Sequence, residues 1–251
     1  MPVRIRTAIL SALAGLVVLA APLAAQDASP VASPVPAAAV LPPDAEVGGV
    51  GLAGWSVRSW QWFFSFPEPV NPLFDSTGER CGYGQSGPVF FLVAAERSGE
   101  RACTVPTGVH VFVPLGGAEC STVEEPPFRG ESDAELVACA KDATAHVPPA
   151  AIADMDLTVD GQSVGDLEAY HRTTPAFDLL LPADNVLGVA PGVARAAADG
   201  YQVLLAPLAE GAHEVVVSVP GPEGLVVTTY RLTVVSGASA APSTPVSSPT
   251  A

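Results

Sequence analysis

A serine between glycines, four histidines and a scatter of carboxylates are the side chains of this 251-residue chain on which catalysis could be built. Ser86 lies in YGQSGP, close to the G-D-S-G-G-P pattern of serine proteases. In proteases of that chain order the histidine and aspartate precede the serine, whereas His110, His146, His171 and His213 all follow it. One glycine of the pattern is missing, and the G-x-S-x-G spacing of Gly161–Gly165 falls in a predicted turn between two strands rather than in a strand-to-helix elbow. Ser86 is therefore read as part of a tight turn, with Gly82, Gly84 and Gly87 supplying positive φ ahead of a strand. The histidines form no H-x-H, H-x-x-x-H or H-E-x-x-H pair, so no element carries a preformed zinc site. Asp154, Asp156 and Asp160 raise calcium binding, but Thr158 stands where the loop needs its third ligand and Gly161 is displaced. The expectation is two acids on a strand and one in a turn. No P-loop is present, and the G-x-G-x-x-G spacing of Gly82–Gly87 lies in turn chemistry ahead of a strand rather than opening a helix, so no nucleotide cofactor is assigned.

One chemistry needs no motif. Glycoside hydrolysis uses two carboxylates, and Asp75, Glu119, Glu124, Glu125, Asp154, Asp156 and Asp178 are all available. Such a pair would lie about 5–10 Å apart across a cleft, with one member titrating high. Sequence does not measure that separation. No catalytic, cofactor-binding or metal residue is assigned.

The compartment is easier to read. Arg4 and Arg6 precede an apolar run from Ala8 to Ala25 that ends in small residues before Gln26. This is the layout of a secretory signal peptide over 1–25, with the mature chain secreted or exposed on the cell envelope. An uncleaved anchor is the competing reading; Pro22 and the small residues favour cleavage. No later apolar run is long enough to span a bilayer. In an oxidising compartment the four cysteines, Cys81, Cys103, Cys120 and Cys139, are expected to form two structural disulfides. Three pairings are possible. Neighbours in sequence are favoured, Cys81–Cys103 and Cys120–Cys139, each worth about 3 kcal/mol on the chain-entropy picture.

The chain carries a formal charge of −15; without Arg4 and Arg6, 9 basic face 26 acidic side chains, or −17. Its one lysine is Lys141. Such a surface is a poor match for nucleic acid or anionic membranes, and it keeps an exported protein in solution.

The elements that must position these groups follow from periodicity. Residues 26–45 are rich in Ala, Pro and Ser and read as a linker, and 237–251 as a disordered tail. The domain is expected over 46–236. It opens with WSVRSWQWFFSF, which holds all three tryptophans. Leu52, Trp55, Ser59, Trp62, Phe63 and Phe66 recur at helical spacing, with Arg58, Gln61 and Ser65 opposite, and Pro67 ends the run. A helix with Trp55 and Trp62 in the core is predicted, with Trp60 and Phe64 off the centre of the buried face. Turn chemistry fills 66–88. VFFLVA and RACTV read as a β-hairpin, GVHVFVPL as a further strand and AECSTVEEPPFRGE as a polar loop. Ser132 and Glu135 form a capping box for a short helix to about Ala145. MDLTVDGQSV reads as two strands around an Asp160-Gly161 turn, and YHRTTPAFDLLLP as an extended segment broken at Pro175. GYQVLLAPL, HEVVVSV and LVVTTYRLTVV are strands, the last with period two. Together these predict a mainly β fold: an antiparallel β-sandwich, Ig-like or jelly-roll in type, with one or two packed helices and disulfide bracing.

The order WQW, NPLFD, CGYGQSGPVFFL, RACTVPTGVHVFVPL and GYQVLLAPLAEGAHEV resembles a group of uncharacterised secreted bacterial proteins. The match covers most of 55–217. The resemblance implies a shared fold and structural roles for the cysteines, and it carries no activity. Three functions follow as expectations: a secreted non-catalytic module binding a protein partner or envelope polymer, a carboxylate-dependent hydrolase, or a surface protein with no discrete ligand. A cleft holding two acids would favour the second; a flat, polar surface would favour the others.

Overall fold

The structure is a computed structural model. It describes residues 40–94, 97–145, 152–221 and 224–237. The expected signal peptide, most of the linker, the tail beyond Gly237 and His146 lie outside the described residues.

The aromatic stretch forms the helix α1, Leu52–Phe64, which the chain leaves just before Pro67. Trp55 and Trp62 are buried and Arg58, Gln61 and Ser65 face solvent, as the periodicity predicts. Of the two rings off the centre of that face, Trp60 stays partly exposed and Phe64 is buried, because α1 lies over a sheet and fills two clusters at once. Trp55 and Trp62 join the main core with Phe91 and Phe112, while Phe64 packs with Phe177, Leu179 and Ala196. Both tryptophan indoles donate to main-chain carbonyls, Trp55 to Val47 and Trp62 to Tyr83, so these large side chains are buried without an orphan N–H.

Among the described residues ten strands and one more long α-helix follow: β1 Val89–Phe91, β2 Gly99–Pro106, β3 His110–Ser121, α2 Asp133–Ala145, β4 Asp156–Val159, β5 Gln162–Ser163, β6 His171–Thr173, β7 Phe177–Leu181, β8 Gly192–Leu205, β9 Gly211–Gly221 and β10 Gly224–Val235. They make two five-stranded sheets. The first runs β1-β3-β8-β6, with β7 also on β8; the second runs β2-β10-β9-β4-β5. Both feed one core, in which Val111, Phe112 and Val203 of the first sheet meet Val105, Val215 and Leu232 of the second. On β8 the period of two separates the layers. Ala194, Ala196 and Ala198 face the α1 side, and Ala197 faces α2 through Cys120, Leu136 and Ala140.

The fold is mainly β, as expected, but its sheets are mixed rather than antiparallel. β1 pairs parallel with β3, and β2 parallel with β10. The expected hairpin of VFFLVA with RACTV is therefore corrected: its two arms belong to different sheets. Apolar alternation identifies strands but carries no information about their partners, and the crossing costs the chain only a short connection. The segment read as a polar loop from Ala118 is also corrected, since Ala118–Ser121 completes β3. β8 begins at Gly192 instead of near Gly200, because its alanines carry no strong strand signal yet fit closely under the two helices. The capping box forms: Ser132 Oγ accepts from the Glu135 N–H, and Glu135 takes the Ser132 N–H at 3.1 Å. Val40 bridges Leu205 and the Leu41 N–H reaches the Leu204 carbonyl, so the end of the expected linker lies along β8.

Both disulfides are as expected, Cys81–Cys103 and Cys120–Cys139. The first ties the turn-rich segment after α1 to β2; the second ties β3 to α2.

Candidate functional site

The side chains most able to bind something gather where α1 passes over the first sheet. β1 is only three residues long, and past Phe91 its chain turns toward the second sheet, where the Val93 carbonyl accepts from the Tyr230 hydroxyl. β3 continues with β8 on one side, and its ladder with β8 carries an irregularity between Pro114 and Gly116. Just beyond it Gly117 faces Gly200 so closely that a Cβ on Gly117 would sit 2.4 Å from the Asp199 carbonyl oxygen. Only glycine permits this approach. The short strand and the irregularity leave a cleft of about 260 Å³ between α1 and the sheet. Its apolar wall is Trp60, Trp62, Phe63 and Phe112; its polar groups are Ser56, Ser59, Asp199, Tyr201 and Gln202.

Two of these polar groups differ in kind. Asp199 is 3 % exposed and fully engaged: the His171 ring nitrogen Nε2 lies 2.7 Å from one oxygen and Thr173 Oγ1 donates to the other at 2.5 Å. The His171 ring packs on Tyr201 at 4.8 Å between centroids. Burial, then the charges of Glu168 and Asp199, raise the Tyr201 hydroxyl above its ordinary pKa. Gln202 is 5 % exposed, and its amide nitrogen has no hydrogen-bond partner among the described residues. An unmet buried donor costs about 1–3 kcal/mol, so this amide is the group in the cleft wall with most to gain from an acceptor.

Each side chain considered from sequence can now be placed. Ser86 is exposed, and the cavity beside it is lined by Gln85, Gly87, Val89, Phe90, Pro106 and Val109, with no acid or histidine. His110 lies at 3.4 Å from the Pro88 carbonyl. His213 is locked between Asp160 at 2.7 Å and the Ala209 carbonyl at 2.9 Å, and Asp160 also takes the Glu214 N–H. Asp160 is thus the pin of the β4–β5 turn, and Asp154 and Asp156 are exposed. Among the described residues no three His, Cys, Asp or Glu side chains converge to hold a metal.

Of the seven carboxylates, five stand apart. Asp75 is buried and accepts from the N–H groups of Thr77, Gly78 and Arg80 and from the Thr77 hydroxyl. Asp178 is in an exposed ion pair with Arg195, which also holds Asp133 in a fork. Glu125, Asp154 and Asp156 are exposed. The sixth and seventh meet. Glu119, 7 % exposed, hydrogen-bonds Glu124, and its Oε1 has no partner among the described residues. Burial first, and then the neighbouring Glu124, push Glu119 up to about 9. Glu124 is also raised by burial, against a 2.9 Å hydrogen bond from Ser121 Oγ. The pair sits beside Cys120, and neither member lines the cleft under α1.

Sequence reasoning missed Asp199 and Gln202. The available signal was a polar residue at an inward-facing step of a strand: Gln202 lies within GYQVLLAPL and Asp199 just ahead of it.

No family profile matches the chain, and no curated protein matches it. Among solved structures, a chain from "Structure of PbICP-C in complex with falcipain-2" aligns at 10 % identity over 59 % of this chain and 100 % of that one, with a TM-score of 0.20. A similarity of that size carries no inference about fold or function. Among the described residues no helix is long and apolar enough to cross a membrane.

Proposed function

We propose that this chain is an exported, non-catalytic binding module of β-sandwich type, Ig-like or jelly-roll, that engages a protein partner or an envelope polymer through the cleft beside α1. The observation that carries this reading is the composition of that cleft: rings and aliphatic groups, one acid already held by His171 and Thr173, and one buried amide nitrogen without a partner among the described residues. That is the makeup of a recognition site, where apolar contact supplies affinity and a few polar groups set orientation. The two disulfides and the aromatic core support a rigid platform beneath it.

The hydrolase reading has one supporting feature, the raised Glu119. Its geometry is against it. Glycosidase carboxylates stand about 5–10 Å apart with substrate between them, whereas Glu119 and Glu124 bond each other directly, outside the cleft.

The test combines two measurements on the purified mature chain. Titration with N-acetylphenylalaninamide is expected to give a saturable change in the fluorescence of Trp60 and Trp62, lost in Ser59→Phe, which fills the cleft. A screen on glycoside, ester and peptide substrates is expected to show no turnover. Turnover that disappears in Glu119→Gln, with the fold intact, would replace this proposal with the hydrolase.

A further inference from the structure

β3 has an incomplete edge. β8 pairs with one side of it along its length, while on the other side β1 covers only His110–Phe112 and Arg129 bridges Ser121 in the same parallel sense. Between Val113 and Cys120 no described residue pairs with that outer side. The hydrogen bonds at the two ends give its polarity. The His110 N–H reaches Pro88, the Phe112 carbonyl accepts from Leu92, and the Ser121 N–H reaches Phe128. Alternation along the strand, shifted once at the irregularity, then points the Pro114 carbonyl and the N–H and C=O of Gly117 and Glu119 outward. Gly116 and Gly117 are exposed and carry no side chain over this edge.

Cavities flank the gap on both faces. The cleft under α1 lies on one. The other holds about 280 Å³ between β3 and the second sheet, walled by Met155, Val217 and Tyr230. Ala94, Pro114, Gly116 and Gly117 border both. Successive side chains of a strand point to opposite faces, so a strand laid in the gap would send one side chain into each cavity.

We propose that an extended segment of a partner protein adds to β3 at Pro114–Glu119, continuing the direction of β1, with two adjacent apolar side chains filling the two cavities. The inference rests on the binding-module reading and names its partner class. Exposed edges of this kind are templates for strand addition. The charge selects the occupant: a chain of −15 repels a second copy of itself and attracts a basic segment.

The probe is a blocked hexapeptide of lysine, threonine, phenylalanine, valine, threonine and lysine, followed by calorimetry and amide exchange on the full mature chain. Two further peptides carry N-methyl groups on alternate amides, in opposite phase. Binding is expected, with at least a tenfold loss in one methylated phase, little change in the other, and new exchange protection at Gly117 and Glu119. Ser59→Phe, which closes only the α1-side cavity, should weaken the hexapeptide. Equal affinity of both methylated phases without protection at Gly117 overturns the strand addition, and so does failure of the hexapeptide to bind. If N-acetylphenylalaninamide still saturates the cleft in that case, strand addition falls alone; if it does not, the binding-module reading falls with it.

Discussion

Each disulfide of this protein has a buried acid as its neighbour, and the two acids have opposite fates. Near Cys81–Cys103, Asp75 sits in the turn after α1, and Thr77 from the same turn takes the Ala102 N–H of β2. Burial alone would raise its pKa, but four donors from Thr77, Gly78 and Arg80 outweigh burial and hold it below the ordinary value. Near Cys120–Cys139, Glu119 meets burial and a second carboxylate, with no cation and one oxygen unpartnered, and is pushed up to about 9. A local turn can aim several N–H groups at one short carboxylate. A strand cannot, because its N–H groups lie in the plane of the sheet while its side chains stand out of that plane, so an inward glutamate on β3 has only another side chain to share a proton with. Burial favours the neutral form of both acids; the donors of the turn overcome it at Asp75, and nothing comparable opposes it at Glu119.

The comparison can be broken at several points. The largest effect is expected in the core beside Asp75. Trp62 packs on Phe66 and Phe91 and donates to Tyr83, so Trp62→Ala should cost about 3–5 kcal/mol in denaturant unfolding. A small loss there, with binding abolished, would make the ring a ligand platform instead of core. Asp75→Ala leaves four donors without their acceptor, three of them backbone N–H groups, and should cost about 3 kcal/mol, whereas Glu119→Gln keeps a neutral group that can still donate to Glu124 and should cost under about 1 kcal/mol near pH 6. If the two substitutions cost the same, the contrast between the regions is wrong.

pH separates them further. Glu119 has a folded pKa above its unfolded value, so the native state holds the extra proton between about 4.5 and about 9 and stability falls as pH rises through that window. Glu119→Gln should remove this slope, making the variant more stable than the parent by about 1 kcal/mol or more at pH 8. Asp75 has the opposite sign: its contribution is present above the ordinary carboxylate pKa and is lost as pH falls through its lowered folded value. Urea titrations from pH 3 to 9 on the parent and both variants resolve the two slopes. The smallest effect is expected at the exposed Asp178–Arg195 pair, where Asp178→Asn should leave the urea midpoint close to the parent's; a clear loss would mean that this pair ties β7 to β8 more strongly than its exposure to solvent allows.

Local signals carried a good part of this protein. Helical spacing from Leu52 to Phe66, the Ser132–Glu135 box, the Asp160-Gly161 turn and the alternation of Thr228, Tyr230, Leu232 and Val234 all depend on residues within a few positions of each other, and each is present as read. The neighbour pairing of the cysteines, favoured among three possible pairings, is the one present. What no local pattern contains is the partner of a strand. Whether Val89–Phe91 lies beside Gly99–Pro106 or beside His110–Phe112 depends on which arrangement buries both apolar faces, and that is a property of the whole core. The same holds for the site. Asp199 and Gln202 are ordinary polar residues in a strand; they become cleft groups only because β1 stops early, β3 shifts register at Pro114–Gly116 and α1 stands over the gap. Seven carboxylates were legible as candidates, and the tertiary structure decided that only Glu119 and Glu124 meet, at a distance that shares a proton and leaves no room for a substrate between them.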